Sequence, residues 1–222
     1  MSHKKATFIS IQGNIGSGKS TFIDILKKKH NMFEGKSVCF LPEPVDEWTK
    51  IVDKDGKNMI EKFYADQSKY SFSFQMMAYI SRLKIIKDAY DSGLYDYIIS
   101  ERSLLTDKNV FAKMLYESGK MEDVDYQIYN KWFDTFNMFS KEEIIIYIHT
   151  SPEVAHQRVL KRARKGEEIP LEYLKKCSEY HDKWIEKEKD VIRLDGNVDI
   201  FEKEYVLQQW FDNIEHYMCF GY

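Results

Sequence analysis

The stretch Gly13-Asn-Ile-Gly-Ser-Gly-Lys19-Ser20-Thr21 fits G-x-x-x-x-G-K-[ST], a phosphate-binding loop. Its flanks suit that pattern. Ala6-Thr-Phe-Ile-Ser-Ile-Gln12 is apolar and rich in β-branched residues, so it reads as a buried strand. Thr21-Phe-Ile-Asp-Ile-Leu-Lys-Lys28 reads as a helix. A strand–loop–helix junction of this kind cradles an anion. Glycines let the backbone N–H groups of Gly13, Asn14, Ile15, Gly16, Ser17 and Gly18 curl inward, and the helix N-terminus adds positive potential. Lys19 is placed to reach the outer phosphates and the hydroxyl of Ser20 to ligate Mg²⁺, and Thr21 completes the motif as the helix opens.

The rest of the chain narrows the setting. Its 222 residues are 43% hydrophobic and 31% charged, which suits one domain (1–222) with a sizeable core. A net charge of −3 supplies no basic field for nucleic acid. No apolar run approaches the ~20 residues of a membrane span. The first strand begins so early that a signal or transit peptide is not expected, and the expected compartment is the cytoplasm. Cys39, Cys177 and Cys219 form neither a metal spacing nor an even disulfide set.

Five apolar runs alternate with helical stretches: 6–12, 37–41, 95–100, 143–149 and 190–194. Runs buried on both faces and separated by helices predict an α/β fold with a five-stranded parallel sheet flanked by helices. Ligands of such sheets sit beyond the carboxyl ends of the strands, so the residues after each run carry the information. After the second run comes Pro42-Glu43-Pro44. The two prolines stiffen the segment and hold the Glu43 carboxylate at the sheet edge, which suits a general base or, alternatively, charged filler at the start of a helix. After the third comes Glu101-Arg102, a metal-binding or nucleophile-orienting carboxylate beside a phosphoryl clamp. The fourth leads into Ser151-Pro152-Glu153, a strong helix start, and a helix expected to carry Arg158, Arg162 and Arg164. Three such cations can close over a triphosphate, or can form a solvated basic face with Lys161 and Lys165.

The helix predicted after residue 69 is apolar, yet Gln75, Ala78 and Arg82 share one face at i, i+3 and i+7. A primary amide offers a donor and an acceptor side by side, which matches the edge of a nucleobase. Phe74, Tyr64 and Phe111 are candidates for stacking area, although most of the chain's aromatics are core.

Taken in order, I-x-G-N-I-G-S-G-K-S-T, P-E-P-V-x-x-W, Y-S-F-x-F-Q-x-x-A, E-R-S-x-x-x-D, F-A-x-x-L-Y-E-S-G, R-x-x-x-R-x-R and I-P-L-E-Y-L run nearly end to end. This series resembles the deoxyribonucleoside kinase family, which contains deoxycytidine, deoxyguanosine and broad-specificity insect kinases. The resemblance implies a P-loop kinase fold with an arginine-rich lid at about 158–170. It implies an ATP–Mg²⁺ donor, a deoxynucleoside acceptor phosphorylated at its 5′-hydroxyl for nucleotide salvage, and a homodimer. By the same resemblance Glu43 takes the hydroxyl proton, Arg102 holds that hydroxyl and the developing charge, and Glu101 joins Ser20 on Mg²⁺. Tyr64 and a lid glutamate, assigned to Glu168 over Glu167, would bind the sugar 3′-hydroxyl. Gln75 would pair with the base among Trp48, Phe74 and Phe111. Arg158, Arg162 and Arg164 would cover ATP, and the loop around Asp199 would cup its adenine. The lid is one residue shorter than the usual vertebrate version, and the adenine loop has Val198 and Ile200 where an acidic and an aromatic residue are common.

Ala78, Arg82 and Asp107 occupy the positions that separate family members. A carboxylate at Asp107, held by Arg82, accepts a hydrogen bond from an exocyclic amine, which cytosine, adenine and guanine have and thymine lacks. Deoxycytidine or purine deoxynucleosides are therefore expected over thymidine. Two other readings remain: a nucleoside monophosphate kinase of the thymidylate kinase kind, and a catalytically silent structural relative.

Overall fold

The computed structural model describes residues 6–29, 35–136, 143–164 and 168–220. Five strands form one parallel sheet: β1 (Thr7–Gln12), β2 (Val38–Leu41), β3 (Tyr97–Glu101), β4 (Glu143–His149) and β5 (Val191–Asp195), in the order β2-β3-β1-β4-β5. Around it lie α1 (Lys19–Lys28), α2 (Val45–Lys50), α3 (Met59–Ala65), α4 (Gln67–Ser92), α5 (Leu104–Thr106), α6 (Lys113–Glu117), α7 (Asp123–Phe136), α8 (Pro152–Arg162), α9 (Leu171–Ile185) and α10 (Glu204–Phe220). The five predicted strands are present, with ends shifted by a residue or two. Glu101 closes β3 rather than following it.

Alternation along the strands splits the core into two faces. Ile9 and Ile11 of β1, with Ile146 and Ile148 of β4, pack against α1 and α10. There Phe22 is fully buried, edge-on to Trp210 at 5.3 Å and stacked on Phe211 at 6.0 Å. Truncating such a side chain to alanine costs about 3–5 kcal/mol. The opposite face of β1 carries Phe8, Ser10 and Gln12, and its apolar part packs on α4, α5 and α7 through Tyr79, Leu104, Tyr129 and Phe133.

The helices begin where the sequence supplies caps. Asn58 and Glu61 form a reciprocal capping box on α3, and Asp66 accepts from the Lys69 amide at the start of α4. Ser151 caps α8, with Pro152 in its first turn. The sequence expectation that one helix carries all three lid arginines is corrected. Helix α8 ends at Arg162, because Ala163 turns left-handed (φ 46°), and Arg164 lies beyond it. Asp107–Ala112 forms a π-helical segment between α5 and α6, a feature with no sequence signature.

Candidate active site

The carboxyl ends of the strands open onto one cavity of about 970 Å³. The loop after β1 enters it first. Gly16 sits at φ 81°, and a Cβ there would lie 2.4 Å from the Ala155 carbonyl of α8, so only glycine lets the loop pack this closely. Ile15, Gly16, Ser17, Gly18, Lys19, Ser20 and Thr21 line the cavity. Gly13 and Asn14 are not among its lining residues and shape the loop instead. The Asn14 side chain donates to the Leu174 carbonyl at 2.8 Å and accepts from the Ile15 amide at 2.8 Å. Lys19 donates to the Asn14 carbonyl at 2.7 Å. Burial, and then the charge of Arg102, pull its ammonium down to about 7 against the pull of Glu101 and Glu43.

Beside the loop, the Ser20 hydroxyl donates to Glu101 Oε1 at 2.9 Å. The next residue, Arg102, has φ 62°, a left-handed conformation that costs a non-glycine residue about 1–3 kcal/mol and gathers at functional sites. Its amide donates to the Ile11 carbonyl at 3.0 Å. Its guanidinium lies 5.1 Å from the centre of the Phe111 ring and donates through Nη1 to Glu43 Oε1 at 2.6 Å. Arg102 Nε and Nη2 are buried without a hydrogen-bond partner among the described residues, so two donors are held ready for something else.

Glu43 stands where β2 gives way to α2. Arg82 Nη2 reaches the same Glu43 oxygen at 3.0 Å, which leaves Oε2 able to take a further donor. Burial alone would raise the Glu43 carboxyl, but Arg102, Arg82 and Lys19 outweigh it and hold it at about 2. Arg82 is nearly inaccessible at 1% exposure. It also donates through Nε to Asp107 Oδ2 at 3.0 Å and through Nη1 to the Glu101 carbonyl at 2.6 Å. One guanidinium thus joins the ends of β2 and β3 to the start of the π-helical segment. Burial raises the Asp107 carboxyl, and Arg82 opposes the rise.

Away from the loop, the cavity narrows to an aromatic slot. Trp48 donates its indole N–H to Ser81 Oγ at 2.9 Å and meets Phe74 edge-on at 5.6 Å. Phe63 stacks on Phe74 at 4.4 Å. Gln75, Ala78, Arg82, Asp107 and Phe111 line the slot with Tyr64. Gln75 is 2% exposed, and its Oε1 has no partner among the described residues. A buried amide oxygen left unpaired costs about 1–3 kcal/mol, so its presence here points to a ligand donor.

Arg158, Arg162 and Arg164 also line the cavity, with Asp199. Arg158 is committed to main chain: it donates to the carbonyls of Gly196 at 2.8 Å, Val198 at 3.4 Å and Ser17 at 3.5 Å. It ties the phosphate loop to the loop after β5. Glu168 is exposed and is not among the lining residues, so the structure does not bring it to the sugar end, and Glu167 lies outside the described residues. Sequence reasoning missed Val45, Ile60, Phe63, Tyr173 and Trp210, which line the cavity. They are apolar or aromatic, so their spacing does not separate them from core.

A phosphate loop, neighbouring arginines and an adjoining aromatic slot in one cavity at the ends of a parallel sheet define a P-loop phosphotransferase. The deoxynucleoside kinase family model matches residues 9–218, and the chain belongs to that family. A fowlpox virus protein described as a probable deoxycytidine kinase is 35% identical over 90% of this chain and 82% of its own length. Rat deoxycytidine kinase is 32% identical over 88% of this chain and 86% of its own. Human mitochondrial thymidine kinase 2 is 33% identical over 83% of this chain and 66% of its own. The protein is a nucleoside kinase. Among the described residues no helix is long and apolar enough to cross a membrane.

Proposed function

We propose that the protein transfers the γ-phosphoryl group of ATP to the 5′-hydroxyl of a deoxynucleoside, and that it prefers deoxycytidine or purine deoxynucleosides over thymidine. The observation that carries the preference is the buried Arg82–Asp107 pair, which lines the cavity with Gln75. Asp107 accepts from an exocyclic amine, and the Gln75 amide, with its donor and acceptor side by side, pairs with the neighbouring base edge. The names of the deoxycytidine kinase relatives agree with this reading.

In this reading the nucleoside lies in the aromatic slot with its 5′-hydroxyl on Glu43, whose Oε2 takes the proton. An ionised carboxylate held at about 2 is a weak base. That is tolerable where positioning and charge stabilisation carry most of the acceleration. Arg102, with two unused donors, holds the hydroxyl and meets the charge developing on the transferred group. Lys19 and the loop amides hold the outer phosphates. Arg162 and Arg164 cover them, Arg158 fixes the two loops around the donor, and Asp199 flanks the donor base.

The oxygens of Ser20 and Glu101, 2.9 Å apart, suit Mg²⁺, which is bound through one or two protein oxygens together with phosphate and water. The described residues hold no cluster of three or more His, Cys, Asp or Glu that would favour a metal held by protein alone. When bound, the ion supplies charge neutralisation at the β- and γ-phosphates. Tyr64 is the sugar-binding candidate that lines the cavity.

We also infer a homodimer. Val124, Ile128, Trp132 and Phe136 recur every four residues along α7, each 39–63% exposed. A row of this kind suits a second copy of the same helix.

The test is label transfer from [γ-³²P]ATP to each of the four deoxynucleosides and to their monophosphates. Label on deoxycytidine or a purine deoxynucleoside supports the proposal. Label only on a monophosphate favours a thymidylate kinase-like activity, and no label favours a silent relative.

A further inference from the structure

Beneath the Glu101-Arg102-Ser103 turn lies a polar cluster with no part in the chemistry described so far. It centres on Gln12, fully buried at the end of β1, one residue before the phosphate loop. Gln12 Oε1 accepts from the Thr106 hydroxyl, which in turn accepts from the Ser103 amide at 3.3 Å. Gln12 Nε2 points to Ser103 Oγ at 3.1 Å, Ser10 Oγ at 2.8 Å and Glu143 Oε1 at 3.3 Å. The Ser10 hydroxyl also donates to Glu143 Oε1. Glu143 opens β4, alongside β1 in the sheet, and its Oε2 is buried without a partner among the described residues.

The placement is mechanically specific. Arg102 occupies a left-handed conformation that an arginine does not adopt unaided. Its amide is tied to Ile11, and the next residue, Ser103, is tied to Gln12 and Thr106. The strand that feeds the phosphate loop therefore also anchors the turn that aims Arg102 at Glu43. Apart from Glu143 Oε2 the polar groups of the network are paired, and an apolar floor would have been the simpler way to fill this space.

We propose that Gln12 and Glu143 are positioning residues for phosphoryl transfer. Through Ser10, Ser103 and Thr106 they hold the Arg102 turn in register with the phosphate loop, so that donor and acceptor groups meet in line. The inference rests on the deoxynucleoside kinase reading above. Neither residue touches substrate, so their loss acts on turnover rather than on binding.

The experiment is steady-state kinetics with ATP and deoxycytidine on Gln12→Met and Glu143→Leu, which keep bulk but remove the polar groups. The expected result is a kcat lowered about tenfold or more while KM for both substrates stays within about threefold. Glu143→Gln keeps an acceptor oxygen and restores most of that loss, a rescue that a role in bulk packing would not need. Circular dichroism and a melting curve establish that each variant is folded. If Gln12→Met or Glu143→Leu does not fold, Ser103→Ala and Thr106→Val remove single links of the same network, with the same split expected. Folded variants that melt earlier yet keep kcat within about twofold of the parent overturn the inference, as does a loss confined to KM. An unsubstituted enzyme inactive on every deoxynucleoside overturns the functional reading and this inference with it; an active one with unaffected variants overturns this inference alone.

Discussion

Replacing Arg82 by methionine and Asp107 by alanine together is expected to lower stability and to raise the use of thymidine. The two side chains are 1% and 3% exposed and lie 3.0 Å apart. Removing one member of a buried pair leaves an uncompensated charge and costs about 3–5 kcal/mol. Asp107→Ala alone should fall near the lower figure, because Arg82 keeps Glu43 at 3.0 Å and the Glu101 carbonyl at 2.6 Å. For a chain of this length about 3 kcal/mol lowers the melting temperature by roughly 6–12 °C. The double variant balances the charge of the pair but also removes the Arg82 bonds to Glu43 and to the Glu101 carbonyl, and a buried acceptor left unpaired costs about 1–3 kcal/mol more. Its melting temperature should lie below that of Asp107→Ala. Glu43 keeps Arg102 at 2.6 Å, so the hydroxyl-binding end survives. With the carboxylate gone the slot no longer favours an exocyclic amine, and the freed volume accepts the thymine methyl. Contacts of that kind are worth roughly 10–200-fold in relative kcat/KM. The assay is thermal denaturation of the single and double variants beside kcat/KM for deoxycytidine and thymidine. A double variant more stable than the single, or one whose thymidine-to-deoxycytidine ratio is unchanged, refutes the reasoning. So does a parent enzyme that already prefers thymidine.

Glu43→Gln should lower kcat by about 10²–10⁴ while circular dichroism still reports a folded protein; near-parental turnover would move the base role away from this residue. Lys19 sits at about 7 before phosphate arrives, and a bound triphosphate favours its charged form. Nucleotide binding should therefore take up a proton between about pH 7 and 9, and affinity should weaken as pH rises through that window. Calorimetry in buffers of different ionisation enthalpy measures the uptake, which Lys19→Met should remove. Trp132→Glu puts a charge in the middle of the exposed apolar row of α7 and should convert the proposed dimer to monomer by light scattering, with label transfer to nucleoside retained.

Much of this architecture can be read from the chain because its signals are local. The phosphate loop announces a strand before it and a helix after it. Gln75, Ala78 and Arg82 share a face at helical spacing and are buried together in α4. Glu43 and Glu101 can be found because each follows or ends an apolar run. The strand order β2-β3-β1-β4-β5 is not local; it is set by which apolar surfaces pair across long separations. The same limit hides Gln12 and Glu143, which along their own strands look like ordinary polar ends. Only the register of β1 beside β4 and the fold of the Arg102 turn bring them together. Arg158, Arg162 and Arg164 look alike at their spacing, yet Arg158 is spent on three carbonyls because Gly16 lets the phosphate loop close onto α8. Ala163 ends α8 without the glycine that usually marks such a turn.

The most direct measurement is the product balance of the protein incubated with ATP, Mg²⁺ and deoxycytidine, followed by ³¹P NMR and mass spectrometry. The account predicts ADP and deoxycytidine 5′-monophosphate in equal amounts, lost on chelation of Mg²⁺ and in Glu43→Gln. ADP accumulating with free phosphate and no nucleotide product, or phosphate appearing only on an added monophosphate, would contradict it.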